Sequence, residues 1–209
     1  MSCGGELGPG GPGGGTNLTA EERQYLLRLA RASAEEALGG PRVSLASPGT
    51  PRLRAPGACF VSFFRRAAAE GAGLRGCLGT LQAREPLEEA VQRLAGDTVT
   101  RDPRFWDQPV TLEELPALRI DVSVLQPRRV LTDPLSLELG ADGIIVEGQG
   151  AYSGCHGVYL PQVATEHHMG KQEFLSSCCS HKAGLPADAW KDPRLCRVYA
   201  FRAEVFSEE

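Results

Sequence analysis

Leu74-Arg75-Gly76-Cys77-Leu78-Gly79-Thr80 is the most distinctive stretch of this chain, because it sets a cysteine among glycines in a strand-like pattern. The preceding residues 57–64 are rich in aromatic and β-branched side chains and predict another strand. Gly71 and Gly73 lie between the two and indicate a turn. We therefore expect the two strands to pair as a hairpin.

Strand alternation predicts which way the side chains of this stretch face. Arg75, Cys77 and Gly79 should share one face, while Leu78 and Thr80 should face the core. A guanidinium beside a thiol favours the thiolate, and a glycine inside a strand marks a bulge or the close approach of a backbone or ligand. Two interpretations stay open: a reactive or ligand-binding thiol beside Arg75, or a small buried cysteine whose neighbouring glycines serve packing.

Helical segments lie on both sides of this hairpin in the sequence. Thr19 and Glu22 have the spacing of a capping box and predict the start of a long helix. Pro86 is placed to open a second helix with one apolar face. A third helix is predicted over residues 171–183, where Gly184 ends it.

The remaining strands follow from alternation and turn residues. Residues 118–125 alternate between apolar and polar, residues 143–147 and 152–159 flank a glycine-containing turn, and residues 198–206 form a last predicted strand. Strands come in pairs and helices fall between the pairs, which differs from the strict alternation of a parallel sheet. The sequence therefore predicts an α+β fold, with two lobes built on antiparallel sheet.

Length and composition set the domain boundaries. Residues 1–15 are mostly glycine and proline and bury no apolar surface, so we predict a disordered tail over residues 1–16. The folded domain is predicted over residues 17–209, which suffices for one sizeable domain or two small ones sharing a core.

Bulk properties indicate a cytoplasmic protein. The longest apolar run, residues 58–64, is far shorter than a membrane span, and no signal-peptide pattern is visible. Seven cysteines show no disulfide framework, so we expect reduced thiols. The net charge of −4 disfavours nucleic-acid binding.

A short internal echo links two parts of the chain. Gly76-Cys77-Leu78-Gly79 and Gly154-Cys155-His156-Gly157 share a Gly-Cys-x-Gly pattern. Each is predicted to lie in the second strand of a hairpin that a helix follows. Duplication of an ancestral unit and chance in a glycine-rich chain both explain this echo.

Asp102 and Arg104 are further candidates for a site. Arginine suits two-point binding of a carboxylate or phosphate, so the pair could anchor a substrate anion. The same two residues could equally form an ion pair at the end of a helix. The sequence leaves both interpretations open.

A metal site is the weakest candidate. Cys178 and His181 are spaced to share a helix face, and His156 follows Cys155. The spacing matches no standard zinc pattern, so we predict no metal and no cofactor. In the alternative, Cys178 packs on the apolar helix face with Phe174 and Leu175.

The signature Leu-Arg-Gly-Cys-Leu-Gly-Thr resembles that of the AMMECR domain, also called AmmeMemoRadiSam system protein A. Further landmarks follow the order of that family over about residues 19–206. They are residues 57–62, Asp102-Pro103-Arg104-Phe105, Glu114-Leu115 with residues 120–125, Gly143-Ile144, Leu160-Pro161-Gln162-Val163 and Lys182-Ala183-Gly184-Leu185.

The resemblance implies a two-part α+β domain, an intracellular location and two partners. One is a Memo-type protein related to metal-dependent dioxygenases, and the other is a radical S-adenosylmethionine enzyme. The resemblance supplies no reaction. The matching signature residues are Arg75, Gly76, Cys77, Gly79 and Thr80, joined by Asp102 and Arg104.

Two functional hypotheses result. In the first, the protein is an enzyme or enzyme subunit. Cys77 acts as nucleophile or ligand for a small molecule, Arg75 stabilises the thiolate, and Arg104 anchors an anion. In the second, the protein is a non-catalytic binding or adaptor module in which Cys77 is structural.

Overall fold

The computed structural model describes residues 17–66 and 73–209. The predicted tail over residues 1–16 lies outside the described residues, as does Gly71 of the predicted turn. In chain order the helices and strands are α1 (Ala20–Ala37), α2 (Pro51–Arg54), β1 (Cys59–Arg65), β2 (Leu74–Gly79), α3 (Leu87–Arg101), β3 (Leu118–Leu125), β4 (Arg129–Val130), β5 (Gly143–Gly148), β6 (His156–Tyr159), α4 (Pro161–Glu166), α5 (Lys171–Ser177), β7 (Cys196–Phe201) and β8 (Ala203–Ser207).

These elements form two compact units, each with its own antiparallel sheet. The first unit comprises the described residues of Gly14–Leu125 with Glu204–Glu209, and the second is Gln126–Ala203. The sheet orders are β2-β1-β3-β8 and β4-β7-β5-β6. The α+β prediction with antiparallel pairing is confirmed, and the two units are consistent with two lobes.

The core of the first unit lies between its sheet and helices α1 and α3. Strand β1 shows why: its alternate residues Cys59, Val61 and Phe63 are fully buried, while the residues between them are partly exposed. Burying these side chains contributes about 2 kcal/mol each. The predicted capping box at the start of α1 is present, with Thr19 and Glu22 bonded to each other's backbone.

The second unit packs its helices on one face of its sheet. Ile144 and Val198 of the sheet meet Phe174, Leu175 and Cys178 of the helical segment in one apolar cluster. The predicted helix over residues 171–183 is α5 followed by a π-helical turn, Cys178–Lys182. The interpretation of Cys178 as a packing residue is confirmed.

The predicted last strand over residues 198–206 is wrong as a single element. The chain breaks at Arg202 into β7, which belongs to the second sheet, and β8, which is the edge of the first. The Arg202 side chain is bonded there to Glu138 and Asp142. Residues 198–206 contain no glycine or proline that would signal this change of sheet.

The predicted hairpin in the second unit is present, but its connection is longer than expected. Gly150–Tyr152 forms a 3-10 turn, and β6 begins only at His156. Cys155 therefore precedes the strand instead of lying within it. Within the described residues, no helix is long and apolar enough to cross a membrane.

Candidate functional site

Cys77 lies in the middle of β2, which is an edge strand of the first sheet. Cys77 pairs with Ser62 of β1 and is half-buried. The Cys77 N–H donates to Asp102 Oδ2 at 2.8 Å, and its carbonyl accepts from Arg104 Nη2 at 2.8 Å. Two side chains therefore take the place of a neighbouring strand along the open edge.

The end of α3 places Asp102 and Arg104 at this edge. Asp102 caps the 3-10 turn Pro103–Phe105 by accepting from the Arg104 N–H at 3.1 Å. Its carboxylate also accepts from Arg104 Nε at 3.0 Å and Nη2 at 2.7 Å. The helix-end ion pair is thus formed, while anchoring of an anion by Arg104 stays a prediction.

The Asp102 side chain is buried, being 1% exposed, whereas Arg104 is 53% exposed. Burial would raise the pKa of the Asp102 carboxyl, but hydrogen bonds from Arg104 and the Cys77 N–H outweigh it and hold that pKa below its usual value. The pKa of Arg104 is raised, first by its hydrogen bonds to Asp102 and to a lesser degree by the neighbouring Cys77 side chain. Arg104 is therefore the cation that adjoins the cysteine.

Arg75 has a different partner from the one the sequence suggested. The register of β1 and β2 shifts at this point: Phe63 pairs with Gly76 and Phe64 with Leu74, so that Arg75 is the extra residue of a bulge. Its guanidinium is bonded to both carboxylate oxygens of Glu114, at 2.6 and 2.8 Å.

The same guanidinium donates to the carbonyl of Gln108 at 3.1 Å and is 8% exposed. Hydrogen bonds from Arg75 hold the pKa of Glu114 below its usual value despite burial. The ring of Phe105 lies 5.7 Å from the guanidinium carbons of both Arg75 and Arg104. Arg75 thus ties β2 to the loop that carries Arg104.

The two glycines of the signature are required by close packing. A Cβ on Gly76 would lie 2.8 Å from Thr98 Cγ2 and 2.9 Å from the Thr98 carbonyl of α3. A Cβ on Gly79 would overlap the ring of Phe60 at 2.1 Å. Gly76 therefore faces the helix, and Gly79 lies under an aromatic ring on the face that carries Cys77.

Thr80 ends the strand through local bonds. Its N–H donates to the Cys59 carbonyl at 2.9 Å, and its hydroxyl accepts from the Gln82 N–H at 3.2 Å. Leu78 packs against the core as predicted. The fold itself therefore uses the side chains of Arg75, Leu78 and Thr80 and the absence of a side chain at Gly76 and Gly79.

Residues named for a metal site do not assemble into one. Within the described parts of the chain, no group of three or more His, Cys, Asp or Glu side chains is placed to hold a metal ion. Cys178 is fully buried. His181 is exposed and lies 3.1 Å from the Ser177 hydroxyl through Nδ1. His156 is exposed at the start of β6.

Sequence reasoning missed three residues beside the signature. Glu114 entered only as a landmark of the resemblance, although it is the partner of Arg75. Ser62 pairs directly with both Cys77 and Asp121, so these three share one face of the sheet. Alternation within β1 and β3 predicts which side chains of each strand share a face. Only the register between the strands shows that Ser62 lies beside Cys77 and Asp121.

Comparison with known proteins matches nearly the whole chain. The family model described as AMMECR1 matches residues 27–206. A protein of Thermococcus gammatolerans is 41% identical over 192 residues, covering 89% of this chain and 90% of the relative. A protein of Methanopyrus kandleri is 39% identical over 203 residues, covering 93% and 92%.

A solved structure has the same fold. The crystal structure of an uncharacterised protein from Pyrococcus horikoshii matches with a TM-score of 0.78 and 37% identity, over 92% of this chain and 94% of that chain. The match therefore extends through both units. On sequence and structure together, the chain belongs to the AMMECR1 family.

Proposed function

We propose that this protein is an enzyme or enzyme subunit that uses the site around Cys77 on a small molecule. One observation carries the proposal. The Cys77 backbone is held on both sides by Asp102 and Arg104, while its side chain is half-buried on the side of the sheet away from α3. Catalytic groups need such fixed positions.

The chemistry that suits this arrangement is that of an activated thiol. A thiolate is the reactive form of cysteine, and Arg104 supplies a positive charge next to it. Arg104 Nη1 has no hydrogen-bond partner among the described residues, so it is free to bind an anionic group of a substrate. Cys77 would be the nucleophile or ligand, Arg104 the anion-binding residue, and Asp102 a positioning residue.

The partners come from the resemblance to AmmeMemoRadiSam system protein A. We propose that the protein works in the cytoplasm with a Memo-type protein and a radical S-adenosylmethionine protein on a shared small molecule. The strand on which that molecule binds is then shaped and held by the other signature residues, Arg75, Gly76, Gly79 and Thr80.

The test is an untargeted search for a converted small molecule. The protein is incubated with a deproteinised cell extract, alone and with both partner proteins, and metabolites are followed by mass spectrometry. We expect at least one metabolite to change with wild type and to stay unchanged with Cys77→Ser. Cys155→Ser, which alters the other half-buried thiol of the described residues, should behave as wild type. Equal conversion by Cys77→Ser would refute the role of the thiol.

A second candidate function is that of a non-catalytic binding module. It is favoured by a specific observation: Gly76 and Gly79 are engaged in close packing, and the arginines are engaged in the Arg75–Glu114 and Arg104–Asp102 ion pairs. In that case a complex with a partner protein should form equally well with wild type, with Cys77→Ser and with alkylated protein. Loss of the complex on alkylation would count against this alternative.

A further inference from the structure

The register of the first sheet places three functional groups in one row. Cys77 pairs with Ser62, and Ser62 pairs with Asp121. Directly paired residues of antiparallel strands have side chains on the same face, with Cβ atoms about 5 Å apart. A thiol, a hydroxyl and a carboxylate therefore stand side by side across β2, β1 and β3, over about 10 Å.

An Arg–Asp pair closes each end of this row. At one end Arg104 is bonded to Asp102 through Nε and Nη2. At the other end Arg119 Nε donates to Asp121 Oδ1 at 2.9 Å and Nη2 donates to Oδ2 at 3.2 Å. The ring of Phe64 lies 5.6 Å from the Arg119 guanidinium carbon.

In both pairs the arginine side chain is more exposed to solvent than the aspartate side chain. Asp102 is 1% exposed against 53% for Arg104, and Asp121 is 16% exposed against 35% for Arg119. Each guanidinium keeps its Nη1 without a hydrogen-bond partner in residues 17–66 and 73–209. The Ser62 hydroxyl, which lies between them, likewise has no partner in that part of the chain and is partly exposed.

We propose that this row binds a small molecule bearing a carboxylate or phosphate, with Ser62 and Arg119 as binding residues opposite Arg104. The inference rests on the proposed function and names the substrate class of the same site. The free N–H groups of the two arginines and the Ser62 hydroxyl bind the anionic oxygens, because each presents an uncommitted donor. A molecule long enough to contact Arg119, Ser62 and Arg104 places its reacting atom at Cys77.

The test compares two alkylating reagents that differ in charge. Iodoacetate is an anion and iodoacetamide is neutral, and both form the same kind of bond with a thiolate. Their rate ratio at one cysteine therefore reports local anion preference and cancels the intrinsic reactivity of the thiol. We expect the ratio at Cys77 to exceed that at Cys155, and to fall roughly two- to fivefold in Arg119→Gln.

Two variants separate specific binding from net charge. The double variant Arg119→Gln/Asp121→Asn leaves the net charge unchanged but removes the cationic guanidinium and its fixed N–H groups, so its ratio should still be lowered. Arg194→Gln breaks an exposed Arg–Asp pair in the second unit and should leave the ratio at Cys77 unchanged. A wild-type ratio in the double variant would overturn the inference while leaving the reactive thiol intact.

A titration with inorganic phosphate decides the matter independently of thiol reactivity. Followed by amide NMR at constant ionic strength, wild type should show saturating shifts at residues 62, 77 and 121. Ser62→Ala, which changes no charge, should weaken the affinity severalfold. If Cys77 reacts with neither reagent, the proposed nucleophile fails but the phosphate titration still tests the anion site. Absence of saturating shifts in wild type would overturn the inference.

Discussion

Glu114 and Arg75 form the ion pair that ties the signature strand to the loop after α3. Arg75 is 8% exposed and Glu114 23%, and both carboxylate oxygens are bonded. Loss of one partner from such a pair leaves a charge that is nearly buried and unpaired. At the scale of single residues, this pair gives the signature arginine a structural role, although the sequence suggested a chemical one.

We predict that Glu114→Gln lowers the free energy of unfolding by about 3 kcal/mol at pH 7. The pKa of Glu114 lies below its ordinary 4.5 in the folded protein, so its contribution is complete above that value. It is lost as the pH falls through the lowered pKa. The difference from wild type should therefore shrink below about pH 4.

Urea unfolding at pH 7 and at pH 3.5 measures this difference. Glu138→Gln is a matched control, because its pair with Arg202 is exposed, at 66% and 48%. It should cost less than about 1 kcal/mol. An equal effect of the two substitutions would show that the Arg75–Glu114 pair does not hold the strand.

Gly76 and Cys77 provide a second comparison between adjacent residues that face opposite ways. Gly76→Ala should cost about 1–3 kcal/mol, because the new methyl would meet Thr98 of α3 at 2.8 Å. Cys77→Ser, on the half-exposed face, should change stability by less than about 0.5 kcal/mol. Thermal unfolding measures both. A large cost for Cys77→Ser would make the cysteine a packing residue.

At the scale of elements, Asp102 and Arg104 protect the open edge of β2. An edge strand with free N–H and C=O groups pairs readily with another chain. Here the groups of Cys77 are bonded to these two side chains at 2.8 Å each. The ion pair therefore serves the strand as well as the helix end.

Asp102→Ala should release this edge and cause concentration-dependent association, measured by light scattering after size-exclusion chromatography. Asp192→Ala is the matched control. Asp192-Pro193-Arg194 repeats the same local bonds, with N–H, Nε and Nη2 distances of 2.9, 3.0 and 2.7 Å. Among the described residues its carboxylate bonds only to Arg194. Monomeric Asp102→Ala at high concentration would show that these residues are not needed to protect the edge.

The two units share more than this tripeptide. In each, the second strand of a hairpin is at the sheet edge, helices follow, and an Asp-Pro-Arg turn precedes the strand that pairs with the first of the hairpin. Gly76 and Gly157 both lie against the following helical segment. These observations favour duplication of an ancestral unit as the origin of the two units.

The Gly-Cys-x-Gly echo does not mark structurally equivalent residues of the two units. Gly157 pairs with Val146 on the helix-facing side of its strand, as Gly76 pairs with Phe63. The residues equivalent in structure are therefore Gly76 and Gly157, three positions away from the alignment that the Gly-Cys-x-Gly pattern suggests. Short motifs in a glycine-rich chain do not fix a register.

At the scale of the whole molecule, the α+β class and the antiparallel pairing could be predicted because they rest on local periodicity. The candidate site could be predicted only in part. Cys77, its face and its grouping with Asp102 and Arg104 in one family pattern were accessible, whereas the bonds that join them were not. The bulge at Arg75, the bond to Glu114 and the row through Ser62 depend on pairings between distant segments, which local patterns do not contain.

The central claim is that Cys77 carries the chemistry of a signature whose other residues build the strand. Its most direct test is the alkylation rate of each cysteine in the native protein, read by mass spectrometry with iodoacetamide. Four of the described cysteines are buried, and burial raises the pKa of Cys59 to about 12. Cys155 is half-buried like Cys77, whereas Arg104 is bonded to the Cys77 carbonyl.

We predict that Cys77 reacts first, well ahead of Cys155 and far ahead of the buried cysteines, and that Arg104→Gln slows it. Contradiction would come from a Cys77 that stays protected until the protein unfolds, or that reacts no faster than Cys155.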